Sequence, residues 1–598
     1  MTQLASLDWI IIGIFFAISL AIGLYAARRA NNSFSDYFLS GRNMPWWLLG
    51  VSMVATTFSA DTPNFVTDVV RQNGISGNWA WWAFCLTGML TVFVYAKLWR
   101  RSGIRTDLEF YEMRYSGRPA QFLRGFRALY LGVFFNVAVM AAVLLAGIKF
   151  GEALLGWKPI VTMTVVGVIT LSYTFIGGLR GVILTDFFQF ALAMVGMVAA
   201  AIYLLGLPQV GGLSELLSNE AVAEKLNFIP EVTSSTDFWG SLVPVLIIPL
   251  AVQWWSVWYP GAEPGGGGYV VQRMLSAKNE SHAVRATLFF NIAHYALRPW
   301  PWILIALISI VVYPDLASMQ AEFSSVDASY IKDDFAFPAM LTKLPAGLLG
   351  LVAASIIAAL MSTISTHLNW GSSYVVNDFY LRFVKPSASE AQQVRIGRMA
   401  TLGMLILACL LAPLYENAKT AFDLLLQIGA GTGLIFILRW FWWRINAYAE
   451  IAAMVISFVI AIVFFLFFTT NSDPAETGIY LARHWQLVIG VAVTTVGWVL
   501  VTLMTRPTED ARLIDFYQKI RPHAAGWKTV LDRNQIAVAG TSSFSRELLC
   551  MFAGVFLVYG SLFGTGFLLY GEWLQGITGL VIALASGLII RSNWSSVQ

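Results

Sequence analysis

Hydroxyls, a carboxylate and a proline crowd into the stretch from Ala55 to Asn64, inside an apolar segment that begins near Trp46. Such groups are costly at bilayer depth unless the backbone there is buried in protein or lines a watery cavity. Pro63 removes a backbone donor and is expected to loosen the turn before it. A break that frees carbonyls beside Thr56, Thr57 and Ser59 has the chemistry of a cation site. A second stretch, Ala358 to Asn369, holds Ser362, Thr363, Ser365 and Thr366. These recur on one side of a helix, and several hard oxygens together suit a small dehydrated cation. Alone, the run also fits hydroxyls that pack helices closely or bond back to carbonyls; beside a broken helix it reads as the other half of an ion site. In a third stretch, Gly177 to Gln189, Asp186 lies within an apolar run. It either neutralises a bound cation or pairs with Arg180 near the cytoplasmic end.

The elements that must position these groups are transmembrane helices. Of 598 residues, 57% are hydrophobic and 12% charged, against roughly 25% charged in a soluble domain. Mean hydropathy is +0.67. We expect an all-α polytopic membrane protein with about fifteen spans of roughly 20 residues. An extra N-terminal helix (7–27) precedes ten core helices, at about 45–70, 76–98, 125–150, 159–178, 183–206, 239–262, 284–313, 346–377, 396–415 and 420–439. Four more lie near 446–468, 483–504, 548–569 and 572–591. The organisation reads as follows: 1–44, extra helix and cytoplasmic loop; 45–206, first five core helices; 207–238, extracellular loop; 239–445, second five. Then come 446–505, two accessory helices; 506–546, a basic cytoplasmic insert that could form a short amphipathic stretch; and 547–598, two C-terminal helices. The first span lacks the basic start and small-residue cleavage site of a signal peptide. Cys85, Cys409 and Cys550 fall in apolar segments without metal spacing. Arginines and lysines crowd 97–127 and 506–546 but are sparse in 207–238 and 314–345. That asymmetry places the N-terminus outside and the C-terminus inside. The net charge of +4 sits in short loops and is no nucleic-acid signal.

The first and sixth core helices are both interrupted, the sixth by the run from Trp258 to Gly268 with its two prolines and five glycines. Paired interruptions five helices apart point to inverted repeats with a binding site at their interface. These segments resemble the sodium/solute symporter family, which contains the sodium-glucose, proline and sialic acid symporters. The resemblance rests on Tyr37 to Arg42 (YFLSGR), Gly50 to Asp61, Gly177 to Gln189, Tyr269 to Arg273 and Ala358 to Thr366, and covers the chain to about residue 445. It implies a LeuT-like 5+5 inverted-repeat fold, alternating access, sodium as driving ion, no enzymatic activity, and a monomer as the transport unit in a plasma membrane (the inner membrane if bacterial). Carried over by position, the main sodium ligands would be the carbonyls of Ala55, Phe58 and Ala359 and the hydroxyls of Ser362 and Thr363. Asp186, Ser365 and Thr366 would form a second site, giving two sodium ions.

Solute residues match the sugar-binding pattern poorly, since Thr62, Ala80 and His294 stand where galactose-binding members place glutamine, glutamate and lysine. The remaining solute candidates are Asp61, Thr62, Trp79, Trp81, Glu263, Tyr269, His294, Arg298 and Gln427, with Trp255 and Trp258 as further stacking faces. His294 and Arg298 share a helix face. Arg298 suits a carboxylate contact or a structural pairing with Glu263 or Asp61, which we favour. A sugar or polyol is the first expectation for the solute, an amino acid or carboxylate the alternative. A proton-coupled variant carried by Asp61 or Asp186 and a membrane sensor on a transporter fold are the rival readings. The run Arg439 to Arg444 reads as an interfacial belt with snorkelling arginines.

Overall fold

The computed structural model describes residues 4–28, 33–57, 59, 61–151, 154, 157–257, 262–324, 326, 328, 331–414, 431–469, 479–538 and 544–597. Twelve of the described helices are long and apolar enough to cross a membrane. One of them, Pro159–Leu205, covers two expected spans in 47 residues. A straight helix of that length would run about 70 Å, over twice the hydrocarbon thickness. Gly178 divides it, with φ 53° and ψ −155°. A Cβ there would lie 2.5 Å from the Tyr37 carbonyl oxygen, so only glycine fits. Most of the expected span 420–439 lies outside the described residues.

Core helix 1 is broken where expected. Its halves are Trp46–Thr56 and Asp61–Asn73. Pro63, however, sits in the first turn of the second half rather than at the break. A first-turn residue has no intrahelical partner for its N–H, so proline costs nothing there. Core helix 6 runs through Ser235–Trp255 and resumes as Gly268–Ser276. Gly265 and Gly266 take φ of +83° and +100° as they pass Tyr95 and Trp99 of core helix 2. The Trp99 indole donates to Gly265 O at 2.8 Å. Core helix 8, Leu348–Tyr374, is buried along nearly its whole length. The extra N-terminal helix, Ser6–Ala27, is tied to its start: Asp8 Oδ1 accepts from Gly347 N and Gly350 N at 2.6 and 2.7 Å.

Two sequence expectations change, one at the run Arg439 to Arg444 and one in the insert. The run Arg439 to Arg444 packs against protein rather than forming an interfacial belt, its first two residues buried and the other four half-buried. Arg439 and Trp440 are buried, and Arg439 lies over the Phe110 ring at 4.4 Å and 3.4 Å from Glu450. Arg444 donates to Leu503 O and Thr505 O. A carboxylate and helix-end carbonyls take up the guanidinium donors that an interfacial belt would turn to lipid headgroups. The insert likewise packs on protein. Its helix Asp510–Ile520 buries Leu513, Phe516, Tyr517 and Ile520. Trp527 stacks on Phe516 and donates to Trp440 O at 3.0 Å. The amphipathic face expected from sequence exists, and a protein surface covers it.

Candidate functional site

Thr363 joins the two halves of the expected main ion site. Its hydroxyl lies 3.4 Å from Thr56 O at the end of the first half-helix and 3.2 Å from Ala359 O of its own helix. Ala55, Ala359 and Ser362 are buried beside it. The break therefore presents carbonyls to a hydroxyl-bearing helix face, an all-oxygen donor set that suits sodium. Phe58 lies outside the described residues.

Asp186 sits one layer deeper, fully buried. Ser52 Oγ and Ser362 Oγ donate to its two carboxylate oxygens at 2.5 and 2.7 Å. Its cationic neighbour is Arg273, 3.7 Å away on the second half of core helix 6, rather than Arg180. Arg273 also donates to Thr366 Oγ1 at 2.7 Å and Ser52 Oγ at 3.2 Å. Thr366 Oγ1 in turn lies 3.0 Å from Thr56 Oγ1. Asp186, Ser362 and Thr366 are thus brought together, with a guanidinium from the other repeat between them. Ser365 donates to Ser362 O of its own helix at 3.0 Å. Arg273 entered the sequence reading only as a family motif. Its pairing with Asp186 spans 87 positions and left no local signal.

The solute candidates divide into two groups. Thr57 Oγ1 lies 3.2 Å from His294 Nδ1. Arg298 donates to Val54 O at 3.1 Å, Thr57 O at 3.0 Å and Thr57 Oγ1 at 3.3 Å. Trp81 stands edge-on to His294 at 5.6 Å and stacks with Tyr295. These residues cluster at the break. Asp61 and Thr62 open its second half, where Ser59 Oγ donates to Asp61. The expected pairing of Arg298 with Glu263 or Asp61 is replaced. The Arg298 guanidinium caps carbonyls that the break leaves without intrahelical partners, and Glu263 pairs with Arg127 of core helix 3.

Other candidates are not brought to the break. Trp79 is packed against Trp82 and Tyr559, with its indole donating to Phe228 O of the loop 207–238. Tyr269 is buried lower down, near His367 and Trp370. Trp255 is half-buried and donates to Ala251 O within its own helix. Gln427 and Trp258 lie outside the described residues. No group of three or more His, Cys, Asp or Glu that could hold a metal occurs among the described residues.

The chain is similar to several characterised transporters. It is 26% identical over 485 residues to a sodium/glucose cotransporter of Vibrio parahaemolyticus, covering 79% of this chain and 87% of that one. It is 28% identical to a sodium/myo-inositol cotransporter of Mus musculus, covering 86% and 76%. Its fold resembles the outward-open structure of a Na+-coupled sialic acid symporter with a TM-score of 0.66 at 22% identity, over 84% of this chain and 99% of that one. A family model described as the sodium:solute symporter family matches residues 37–457. The chain belongs to the sodium:solute symporter family, whose members are multi-pass membrane transporters coupling solute movement to sodium and not enzymes.

Proposed function

We propose that this protein imports a small, neutral, polar solute, a sugar or polyol, together with two sodium ions by alternating access. The main ion would be held by Ala55, Phe58, Ala359, Ser362 and Thr363, and the second by Asp186, Ser365 and Thr366. The solute would bind at the broken core helix 1, with Asp61, Thr62, Trp81 and His294 as contacts. The observation that carries the reading is the Thr363 hydroxyl set between Thr56 O and Ala359 O. It couples the break, where solute binds, to the ion site. Sodium would favour one state of the break and solute would bind that state better, which is all that coupling requires.

Arg298 supports a neutral solute over a carboxylate, because both of its terminal nitrogens already donate to Val54 and Thr57. Relatives named for glucose, mannose and myo-inositol transport agree with that class. The unit would be a monomer in a plasma membrane, N-terminus outside and C-terminus inside. Each charge crossing 100 mV contributes about 2.3 kcal/mol, so two ions drive steep accumulation. The test is uptake of radiolabelled hexoses and polyols into proteoliposomes under an inward sodium gradient. Accumulation that vanishes when choline replaces sodium is expected. Uptake indifferent to that exchange would refute the reading.

A further inference from the structure

The interruption of core helix 6 carries a carboxylate whose partner lies across the fold. Glu263 is 6% exposed and pairs with Arg127, in the last turn of the helix Gly117–Leu129 of core helix 3. Residues 263–269 are all buried, and their backbone is held from several sides. Trp99 of core helix 2 donates to Gly265 O at 2.8 Å. Asp107 accepts from Gly268 N at 2.9 Å and from the Tyr374 hydroxyl of core helix 8. At the far end of the resumed helix, Met44 N donates to Ser276 O at 3.2 Å and Lys278 N to Met44 O at 3.3 Å. Core helices 1 and 6 are thereby tied to each other near the basic loop, where Arg42 donates to Gly103 O and Ile104 O. The Glu263–Arg127 pair thus lies on the side of the basic loops and joins the two broken helices to core helix 3.

This pair is only half satisfied. Glu263 Oε2 and Arg127 Nε have no hydrogen-bond partner. The guanidinium lies over the rings of Phe436 and Tyr111 at 5.1 and 5.7 Å. In such surroundings desolvation offsets most of the attraction, while either charge left alone is costly. Two arrangements are therefore tolerable: both groups buried together, or both parted in water. The other pair across the fold, Arg273 with Asp186, differs. All three Arg273 nitrogens donate to side-chain oxygens, and both Asp186 oxygens accept from serines. Nothing is gained there by letting water in.

We propose that Arg127 and Glu263 form a latch on the side of the basic loops, joined while that side is shut and parted when it opens. Glu263 moves with core helix 6 and Arg127 stays with core helix 3. The latch rests on the alternating-access reading above and is independent of which solute is carried. Its role is to make a half-open state, with one charge still buried, the unfavourable one.

The test is hydrogen–deuterium exchange on the purified full-length protein in sodium, which reports local opening. It is read at 262–276 and at 61–73, the half of core helix 1 that leads to the opposite side. Glu263→Gln and Arg127→Gln should each speed exchange at 262–276 by about tenfold or more, because each leaves a lone buried charge on the shut side. Exchange at 61–73 should slow, since one side closes as the other opens. A pair that merely held the fold together would loosen both segments. The double variant leaves neither charge alone, so it stays measurable where a single variant is unstable, and it should speed 262–276 by less than either single change. The latch is overturned if the single variants exchange within about twofold of wild type at 262–276, if 61–73 fails to slow, or if the double variant opens faster than both. A wild type whose exchange at the two segments is the same in sodium and in choline would instead remove the sodium-driven alternating access on which the latch rests.

Discussion

Thr363 and Arg298 both meet core helix 1 at its break, and they act on different carbonyls. Thr363 meets Thr56 O, whereas Arg298 takes Val54 O and Thr57 O. A hydroxyl can yield its place to an ion that is itself coordinated; a guanidinium cannot be displaced without leaving a buried charge. Thr363→Val should therefore fold normally and raise the sodium concentration for half-maximal uptake by about 10- to 100-fold, read from uptake against sodium. Arg298→Met should instead lower the melting temperature by several degrees, from a loss of roughly 2–4 kcal/mol. An unchanged melt with lost uptake of anionic solutes would mean that Arg298 serves a carboxylate after all. Asp107, in the loop after core helix 2, titrates outside the membrane. It accepts from Gly268 N at 2.9 Å and from the Tyr374 hydroxyl, and lies near Glu263 and Arg127. Burial lifts its carboxyl to about 6, partly opposed by the Tyr374 hydrogen bond. With a folded value above the unfolded one of about 3.9, the native state holds the proton more tightly. Its contribution to stability is thus present below about pH 4, is lost as pH rises to about 6, and is level above that. Asp107→Asn should remove that slope from the difference between variant and wild-type melts across pH 4–6.

Among the elements, the broken helices were readable from sequence, and their partners were not. A carboxylate, hydroxyls and a glycine run in apolar segments announce an interruption locally, so the breaks in core helices 1 and 6 fall where composition places them. Pro63 misled because proline marks either a break or a first turn with the same letter. Asp186 with Arg273, Glu263 with Arg127, and Arg298 with Thr57 are pairings across the fold. One sequence gives each charge several plausible partners and no distances. The insert shows the same limit: its apolar face was legible, and its docking place was not. That docking is tight enough to test with one methyl group. A Cβ on Gly526 would lie 1.8 Å from Phe441 O, and the Gly526 carbonyl accepts from Trp443 N at 3.2 Å. Gly526→Ala should lift the segment 524–527 off the end of core helix 10, breaking the Trp527–Trp440 hydrogen bond. Limited proteolysis should then cut the insert at least several-fold faster than in wild type, while the helices of the transport core stay intact. An unchanged cleavage rate would mean that this contact does not hold the insert.

Across the whole molecule, the positive charges from which an orientation is expected also hold one end of the helices together. Arg101 pairs with Glu280 and donates to Ile520 O. Arg114 donates to Arg439 O and Trp443 O and lies over the Trp527 ring at 4.7 Å. Arg124 binds Asp378 and Glu112, and the buried Lys97 pairs with Glu547 at 2.7 Å. Loop charge in a membrane protein is usually read as an insertion signal alone. Here the same residues clamp core helices 2, 3, 8 and 10 and the insert into one charged floor, whose side of the membrane is open to test. The loop 207–238 lies at the other end and carries one basic residue, Lys225. Orientation can be tested with single cysteines at exposed positions. With Cys85, Cys409 and Cys550 replaced by serine, Glu231→Cys in that loop should react with a membrane-impermeant maleimide in intact cells. Lys528→Cys in the insert should react only after the membrane is opened. Both positions are exposed and lie clear of the ion and solute residues, so uptake activity confirms that each variant is folded. The reverse pattern of labelling would invert the topology and, with it, the direction in which the sodium gradient drives the solute.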